Sequence, residues 1–345
     1  MALAAYQLGQ MAEGELEYSE ALRQYKKAVV LEEDNPDYLL AASTMARTLG
    51  NYAQARKWAE QLVETRRVER KCCLSFAMAQ DKLAVLYNIQ GWYKEAELLY
   101  QCALKNCEKI SCKKLPFIAT VLDHLAQLYS KHGKYEQAEP LFEESLAIKI
   151  NEFGKKHYDV AISLNNMALL YSKQERHGEE ASLYRQALAI KVQLFGRNHL
   201  SVATGLNNLG SWYGQQKKYV QAELLIKRAL AIREDLLGEE HPEVALSLDS
   251  LAGRYFNQKK YEKGKPLLIR ALAINERCYG REHPVVAHTL NSLGTLYFHQ
   301  EQYEKAKPFL HQSLFIAEKA LPEGSPALLL YQKNCESLKR KMAEQ

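Results

Sequence analysis

Seven cysteines are the first residues whose chemistry could define a function, because thiolates bind metals and act as nucleophiles. They are Cys72, Cys73, Cys102, Cys107, Cys112, Cys278 and Cys335. Three of them follow at five-residue steps from position 102, and each step turns about 140° on a helix, so their sulfurs diverge. Zinc sites need converging ligands, usually in CxxC pairs, and none occurs. The sequence therefore predicts no metal site and indicates free thiols in a reducing compartment.

Histidine recurs at a fixed spacing, which could indicate a metal site or acid–base chemistry. His157, His199, His241 and His283 are each 42 residues apart. Each one stands immediately before a helical pattern, and proline follows two of them at the first helical position, where its missing N–H costs nothing. The position therefore predicts a capping or loop-packing role for these histidines.

Motifs for catalysis are absent from the sequence. It contains no GxxxxGK[ST], GxGxxG, HExxH or GxSxG stretch, and the carboxylate pair Glu239-Glu240 falls in a predicted loop. An active site needs convergent groups in a pocket, with perturbed pKa values. We therefore expect no enzyme activity and no cofactor.

Charge and hydropathy exclude two further classes of partner. The net charge is +5 over 345 residues, and the densest basic run, Lys339-Arg340-Lys341, is typical of a solvated helix end. No apolar run approaches the length of about 18 residues needed to span a bilayer. The N-terminal stretch is too short and too soon polar for a signal peptide, so we expect none. We expect a cytoplasmic protein that binds neither nucleic acid nor membrane, and a chain that is a piece of a longer one, because it starts inside a helical pattern.

An internal repeat, with a period of about 42 residues, must position these side chains. Tyrosine occupies one column six times: Tyr87, Tyr129, Tyr171, Tyr213, Tyr255 and Tyr297. Small residues form a second column: Ala84, Ala126, Ala168, Gly210, Ala252 and Gly294. Apolar residues within each unit recur at three- and four-residue steps in two runs separated by a short polar break. Each unit is therefore predicted to be a pair of helices.

Glycine and small residues specify how the helices end and meet. Gly154, Gly196, Gly238 and Gly280 follow the second helices, where a left-handed cap residue is expected. The small column of the first helix should meet a small column of the second: Ala96, Ala138, Glu180, Ala222, Gly264 and Ala306. Glu180 interrupts that column, so we expect the fifth hairpin to be locally irregular.

These units resemble tetratricopeptide repeats, and their longer form is similar to that of kinesin light chains and of nephrocystin-3. The resemblance covers residues 74 to about 321 and rests on four stretches. They are Tyr135-Glu-Gln-Ala-Glu-Pro-Leu-Phe, Ser145-Leu-Ala-Ile-Lys, Gly238-Glu-Glu-His-Pro-Glu-Val-Ala and Leu206-Asn-Asn-Leu-Gly. Toward the N-terminus, Tyr18 and Ala21 return as Tyr52 and Ala55. That step is the ordinary length of this repeat, about 34 residues.

We therefore predict an all-α tetratricopeptide α-solenoid, a right-handed superhelix of antiparallel helix pairs, as a single array over residues 1–345. Residues 1–70 would hold two repeats of about 34 residues, and residues 74–321 six repeats of about 42 residues. A C-terminal helix over residues 326–343 would cap the array, with Leu328 to Tyr331 and Leu338 on its inner side.

The resemblance implies a peptide-binding concave groove lined by the first helices. The position that touches a peptide backbone in kinesin light chains corresponds here to six residues, which we call the ladder residues. They are Asp81, Asp123, Asn165, Asn207, Asp249 and Asn291. Ser172, Phe256, Phe298 and His299 share that face. Kinesin light chains place basic residues in the groove, whereas three ladder residues here are Asp, and Lys131 and Lys173 lie further round. The two phenylalanines are either a peptide anchor or buried by the next hairpin.

Three functions remain open on the sequence. The first is a non-catalytic adaptor or scaffold that binds a protein or a short linear peptide in its groove. The second is a structural scaffold that self-associates through its ends, because solenoid ends expose apolar faces unless they are capped. The third is a ligand-responsive sensor domain of a larger protein.

Overall fold

The chain is all-α and forms a tetratricopeptide-type solenoid, in a computed structural model that describes residues 1–69, 73–108, 115–321, 323 and 325–344. Those residues form seventeen helices and no strand. The helices are α1 (Ala2–Gly14), α2 (Tyr18–Leu31), α3 (Pro36–Thr48), α4 (Tyr52–Glu69), α5 (Cys73–Ile89), α6 (Tyr93–Glu108), α7 (Leu115–Lys131), α8 (Tyr135–Phe153), α9 (Tyr158–Lys173), α10 (His177–Phe195), α11 (Leu200–Gln215), α12 (Tyr219–Leu237), α13 (Pro242–Asn257), α14 (Tyr261–Tyr279), α15 (Pro284–His299), α16 (Tyr303–Ala320) and α17 (Pro326–Ala343). Cys72 and Cys112 lie outside the described residues.

The helices group into two compact units. Unit 1 comprises residues 1–12 and 20–197, and unit 2 comprises residues 13–19 and 198–345. From α3 to α10 in unit 1 and from α11 to α17 in unit 2, successive helices pack against one another, and the tightest pairs are the first and second helix of one predicted repeat. The predicted division into two shorter and six longer repeats stays a prediction.

A residue with positive φ turns each hairpin. Gly133 (φ 72°) separates α7 from α8, and Glu175 (φ 59°) separates α9 from α10 in the same way. The fifth hairpin is therefore regular, and the expected irregularity at Glu180 is wrong. Helix α10 keeps its register because the Glu180 carboxylate is buried with Oε2 at 3.2 Å from His177 Nδ1. A polar neighbour thus lets a charged side chain occupy a position that alanine fills elsewhere.

Small residues permit the close approach within a hairpin, as predicted. A Cβ added to Gly210 on α11 would lie 2.8 Å from Ile226 Cγ1 and 3.2 Å from the Ala222 carbonyl oxygen on α12. A Cβ on Gly264 of α14 would lie 3.4 Å from the Ala252 carbonyl oxygen on α13. The contacts at Gly210 leave no room for a larger side chain without separating the helices, whereas a Cβ at Gly264 would make an ordinary van der Waals contact.

Glycine ends four of the second helices in a conformation that differs from the expected cap. Gly154, Gly196, Gly238 and Gly280 have φ of 80°, 77°, 82° and 84°. The sign of φ agrees with the prediction, but ψ is 164° at Gly154 and 158° at Gly238, so the backbone is extended rather than left-handed helical. That region of φ and ψ is accessible essentially to glycine alone, which explains the spacing of these residues.

The recurring histidines cap the next helices, so the structural role predicted for them is confirmed. His157 Nδ1 accepts a hydrogen bond from the backbone N–H of Asp159 at 3.2 Å, in unit 1. His199, His241 and His283 accept equivalent bonds at 3.1 Å in unit 2. Each imidazole satisfies one of the free N–H groups of a helix N-terminus.

Four tyrosines of the recurring column donate a hydrogen bond to a glutamate of the preceding repeat, and Tyr87, which bonds to Glu60, is the first of them. The Tyr129 hydroxyl donates to Glu97 Oε1 at 2.8 Å, and Tyr171 donates to Glu139 at 3.1 Å. In unit 2, Tyr255 donates to Glu223 at 2.9 Å. In every case the glutamate is on the second helix of the previous pair, so the regular recurrence of tyrosine has a packing cause.

The last helix, α17, packs through fewer residues than predicted. Leu328, Tyr331 and Leu338 are buried, as expected, together with Cys335. The predicted inner run from position 328 to 331 is wrong in its middle, because the two leucines between are about half exposed. The spacing of three, four and three residues between the buried positions is that of a single helical face.

Candidate functional site

The ladder residues of unit 1 are buried and largely occupied by protein partners. Asp81 on α5 has Oδ1 at 2.6 Å from His124 Nδ1 on α7. Asp123 on α7 accepts from Lys149 Nζ on α8 at 2.6 Å and from Ser163 on α9 at 3.4 Å. These contacts connect neighbouring repeats, so the unit 1 ladder stabilises the stack whatever else it binds.

The ladder residues of unit 2 also bond to the next first helix. Asn207 Nδ2 on α11 donates to Ser250 Oγ on α13 at 3.3 Å. Asp249 Oδ2 accepts from Thr289 Oγ1 on α15 at 3.3 Å. Asn291 Oδ1 on α15 accepts from Asn334 on α17 at 2.8 Å.

One oxygen remains without a partner at four ladder residues. Within the described residues, Oδ1 of Asp123, Asn165, Asn207 and Asp249 is buried and accepts no hydrogen bond. Buried polar atoms are nearly always paired, so each exception calls for a ligand, a water or a functional cause. Recurrence of the exception in one repeat column indicates a common cause.

A pocket opens beside the ladder in unit 1. It has a volume of ≈ 410 Å³ and lies between α7, α8 and α9. Asp123 and Lys149 form its polar wall, and Phe117, Phe153 and Ile162 form its apolar wall. The buried ion pair of the polar wall leaves this pocket without a net charge from those two groups.

A second pocket occupies the equivalent place in unit 2, three repeats later in the sequence. It has a volume of ≈ 620 Å³, and α13, α14 and α15 supply most of its walls. Asp249 stands where Asp123 stands in unit 1, and Leu246 and Val285 lie beside it. Equivalent pockets arise in both units because the same three helical faces are repeated.

The two pockets differ in whether a cation lies beside the aspartate, as Lys149 does beside Asp123 in unit 1. The position of Lys149 is taken in unit 2 by Asn275, whose Nδ2 donates to Thr289 Oγ1 at 3.2 Å. Asp249 consequently has no cationic partner among the described residues, and burial raises the pKa of Asp249 to about 7. A carboxylate that is removed from water without a countercharge favours its protonated form.

An aromatic cluster forms at the C-terminal end of unit 2, where the sequence placed one. His299 lies edge-on to Phe256 and Phe298, with ring centroids 5.0 and 5.6 Å away. Tyr261 and Tyr303 contact the two phenylalanines at 5.6 and 5.4 Å. The phenylalanines are half-buried and His299 is exposed, so neighbouring helices cover part of the rings and leave part accessible.

Two lysines lie beside Ser172 at the end of the unit 1 first helices. Lys173 Nζ donates to the carbonyl oxygen of Ser130 at 3.1 Å. Burial, and then the charge of Lys131, lower the pKa of Lys173, and burial alone lowers the pKa of Lys131. Neither lysine pairs with a carboxylate in the described part of the chain. From the sequence these lysines were expected to lie further round the face. They occupy equivalent positions of neighbouring repeats, and the stacking of those repeats brings the two side chains together.

The described ranges contain no group of three or more His, Cys, Asp or Glu side chains that could hold a metal ion. None of the described helices combines the length and the apolar character needed to cross a membrane. Cys102, Cys107, Cys278 and Cys335 form no disulfide bond among the described residues.

Sequence comparison establishes the family. Profiles described as tetratricopeptide repeat match residues 75–151, 117–193 and 243–319, residues 202–243, and residues 1–70. The chain belongs to the tetratricopeptide repeat family, which is generally a non-catalytic protein-interaction fold, and it resembles the kinesin light chain type. A search of curated proteins gives no significant match.

Solved structures share this fold at low sequence identity. The crystal structure of a Rap protein complexed with Competence and Sporulation Factor is similar at a TM-score of 0.56 and 17% identity, covering 99% of both chains. BtubC (BKLC) from P. vanneervenii is similar at a TM-score of 0.52 and 24% identity, covering 68% of this chain and 92% of that one. A putative kinesin light chain from Podosopora anserina gives 0.48 and 24%, covering 59% and 97%. Identities this low support the fold alone.

Proposed function

We propose that the chain is a protein-interaction module that binds an extended peptide or a protein segment on its first-helix faces, in an adaptor or scaffold role. The observation that carries the proposal is the recurrence of unpartnered buried oxygens within each unit, at Asp123 and Asn165 in unit 1 and at Asn207 and Asp249 in unit 2. A bound backbone presents N–H donors at regular intervals, which is the pattern that repeated acceptors match.

Exposed side chains next to the ladder would supply the contacts of the partner's side chains. Leu169, four residues after Asn165 on α9, is 51% exposed although it lies on a helix whose other leucines are buried. Ser172 and the lysine pair continue this face in unit 1, and Phe256, Phe298 and His299 continue it in unit 2. Aromatic and aliphatic anchors of this kind contribute most of the affinity in peptide grooves.

The Rap protein provides a supporting precedent for the fold. Its structure holds Competence and Sporulation Factor, and its fold covers the full length of this chain. We further propose that the chain is non-catalytic and cytoplasmic, the latter supported by four described cysteines that form no disulfide bond. A sensor role within a larger protein stays a prediction.

Selection of peptides on the purified chain tests the proposal. A display library of natural protein segments is selected on the wild type and on a variant with Asn165→Ala and Asn207→Ala. We expect a defined motif on the wild type and its loss on the variant. The matched control carries Asn151→Ala and Asn257→Ala, two exposed asparagines of the same chemistry, and keeps the motif. A motif that survives in the ladder variant would place binding elsewhere.

A single hydrophobic substitution gives a second readout in unit 1. Leu169→Glu should abolish binding of the selected segment, because a charge on the first-helix face opposes burial of apolar surface. Leu98→Glu is the matched control, since Leu98 is 61% exposed on the second helix α6. Equal effects of the two substitutions would assign the loss to general destabilisation.

Self-association is a second candidate, favoured by apolar exposure in α1 and α2. Leu8, Val30 and Leu31 line one open pocket there and are 51%, 74% and 51% exposed. Exposed apolar patches often mark an interface. Light scattering across a range of concentrations tests this, with a mass that grows with concentration in the wild type and not in Val30→Glu. A constant monomer mass at all concentrations excludes the scaffold function.

A further inference from the structure

From the pocket around Asp249 we infer that unit 2 selects partner segments carrying a lysine or arginine next to a bulky apolar side chain. This inference rests on the proposed function and specifies the chemistry of its ligand. The inference is based on a comparison of two equivalent pockets. The pocket of unit 1 contains a lysine that pairs with its aspartate, and the pocket of unit 2 contains no such cation among the described residues.

In unit 1 the protein neutralises its own ladder carboxylate. Lys149 Nζ lies 2.6 Å from Asp123 Oδ2 and 2.7 Å from Ser163 Oγ, and Ser163 also donates to Asp123. In unit 2 the same hydroxyl bridge is kept, because Thr289 donates to Asp249. Only the cation is missing, since Asn275 is an amide. A cation from outside would complete in unit 2 the arrangement that unit 1 has internally.

No other group supplies the missing charge. None of the residues lining the unit 2 pocket is lysine or arginine. Arg233 is buried nearby, but its side chain bonds to Glu243 at 3.1 Å, to Ser247 and to Thr204. The pocket is therefore acidic and unsaturated, and charge complementarity selects a cationic partner.

Apolar surface beside the carboxylate defines the second requirement. Leu246 is 55% exposed and Val285 is 37% exposed, and both line the pocket together with Leu321 and Ala327. A volume of ≈ 620 Å³ is larger than one lysine side chain fills, so a second, bulky side chain fits beside the cation. A peptide provides both groups on adjacent residues, with its backbone along the ladder.

The affinity should depend on pH. With the pKa of Asp249 raised to about 7, the carboxylate is mostly protonated at pH 6 and mostly ionised at pH 8. A ligand that requires the ionised form binds about tenfold more weakly at pH 6 than at pH 8. The other titratable or charged groups facing the pocket are Glu243 on α13, Tyr279 on α14, His288 on α15, Tyr331 on α17 and, through Glu243, Arg233 on α12.

The experiment selects peptides from a phage library of random twelve-residue sequences on the wild type and four variants. The wild type should enrich a basic residue next to a bulky apolar one. Asp249→Asn removes the charge with little change in shape, and Asn275→Lys supplies the internal countercharge found in unit 1, so both should lose this enrichment. Asn275→Met, which fills similar space without a charge, should keep it. Glu304→Gln, an exposed charge change on α16, is the control for net charge.

One enriched peptide, synthesised with a fluorescent label, then gives affinities by anisotropy at pH 6, 7 and 8. We expect the tenfold change in the wild type and a flat profile in Asp249→Asn. Any pH dependence that survives in Asp249→Asn comes from another group and overturns the assignment of the effect to the carboxylate. Peptides without a basic residue, or peptides bound equally by the wild type, Asp249→Asn and Asn275→Lys, overturn the inference and leave the proposed function standing. A wild type that enriches no peptide overturns both.

Discussion

The unusual carboxyl group of Asp249 should make the stability of unit 2 decrease as the pH rises. Burial raises its pKa from 3.8 to about 7 in the folded chain. Between these values the folded chain holds a proton that the unfolded chain has released, so the free energy of unfolding falls with increasing pH. The sign is opposite to that of an ion-paired aspartate, whose stabilisation is lost in acid.

The size of the effect follows from the two pKa values. Their difference corresponds to about 4 kcal/mol over the whole titration. Between pH 5 and pH 8 the linkage relation gives a loss of about 2.5 kcal/mol. Asp249→Asn removes the ionisable group, so the difference between the two unfolding free energies should show this loss free of all other titrations.

Denaturant unfolding at four pH values from 5 to 8 measures the difference. Since repeat arrays need not unfold in one step, the signal should come from unit 2 alone. Trp212 on α11 provides that signal once Trp58 and Trp92 of unit 1 have been replaced by phenylalanine. Asn275→Lys should also flatten the difference, because the new cation stabilises the ionised carboxylate.

Parallel curves for the wild type and Asp249→Asn across this pH range would refute the reasoning. They would mean that Asp249 is ionised throughout, and that water or an unrecognised donor reaches Oδ1. Burial lowers the pKa of His288, but His288 is present in both proteins, so its contribution cancels in the comparison.

Three further substitutions test the packing by chemical denaturation. Gly210→Leu should cost several kcal/mol by overpacking the hairpin, whereas Gly253→Leu, with open space around its Cα, should cost far less; equal costs would show that the helix register is wrong. Gly238→Ala should cost about 1–3 kcal/mol, because its φ of 82° with extended ψ suits only glycine, and an unchanged midpoint would contradict this. Lys149→Met should cost about 3–5 kcal/mol by leaving Asp123 buried without its cation, and the loss should largely disappear when Asp123→Asn is added.

Much of the fold was predictable because its causes are local and repeated. The recurrence of tyrosine, small residues and glycine in one register specified helix pairs, and the position of histidine before each helix specified caps. The error at Glu180 arose from judging a residue by size alone, since the sequence does not show that His177 lies 3.2 Å away to share the burial. The error at Leu329 and Leu330 arose from reading an apolar run as one face, although a helix turns about 100° at each residue.

The sequence predicted which residues form the candidate site, but not their burial or their hydrogen-bond partners. The spacing of the repeat identified the ladder residues, yet it could not show that they are largely buried and that all of them except Asn165 bond to a following helix. Their partners come from residues 26, 40 or 43 positions away, and no local pattern marks those contacts. The missing countercharge of Asp249 could have been found from the sequence. Lys149 and Asn275 belong to one column with the spacing of the repeat, and so do Asp123 and Asp249, so the two columns can be compared position by position.

The repeated architecture explains how a pocket with an unpaired carboxylate, such as that of Asp249, can arise while the rest of the chain stays stable. Each repeat reproduces the same wall of three helices, so a single replacement changes one pocket and leaves the others intact. The column that faces the ladder varies in charge from repeat to repeat. Its members are Cys107, Lys149, Lys191, Arg233 and Asn275. Where this column and the ladder both carry charges, as at Asp123, the pair stabilises the stack. Where the cation is replaced beside a remaining carboxylate, as at Asp249, the stack loses a countercharge and the face gains a binding preference. A repeat protein can thus acquire binding specificity in one repeat at the expense of local stability. For this reason Asp249→Asn should raise the free energy of unfolding at pH 8 and weaken the binding of basic peptides.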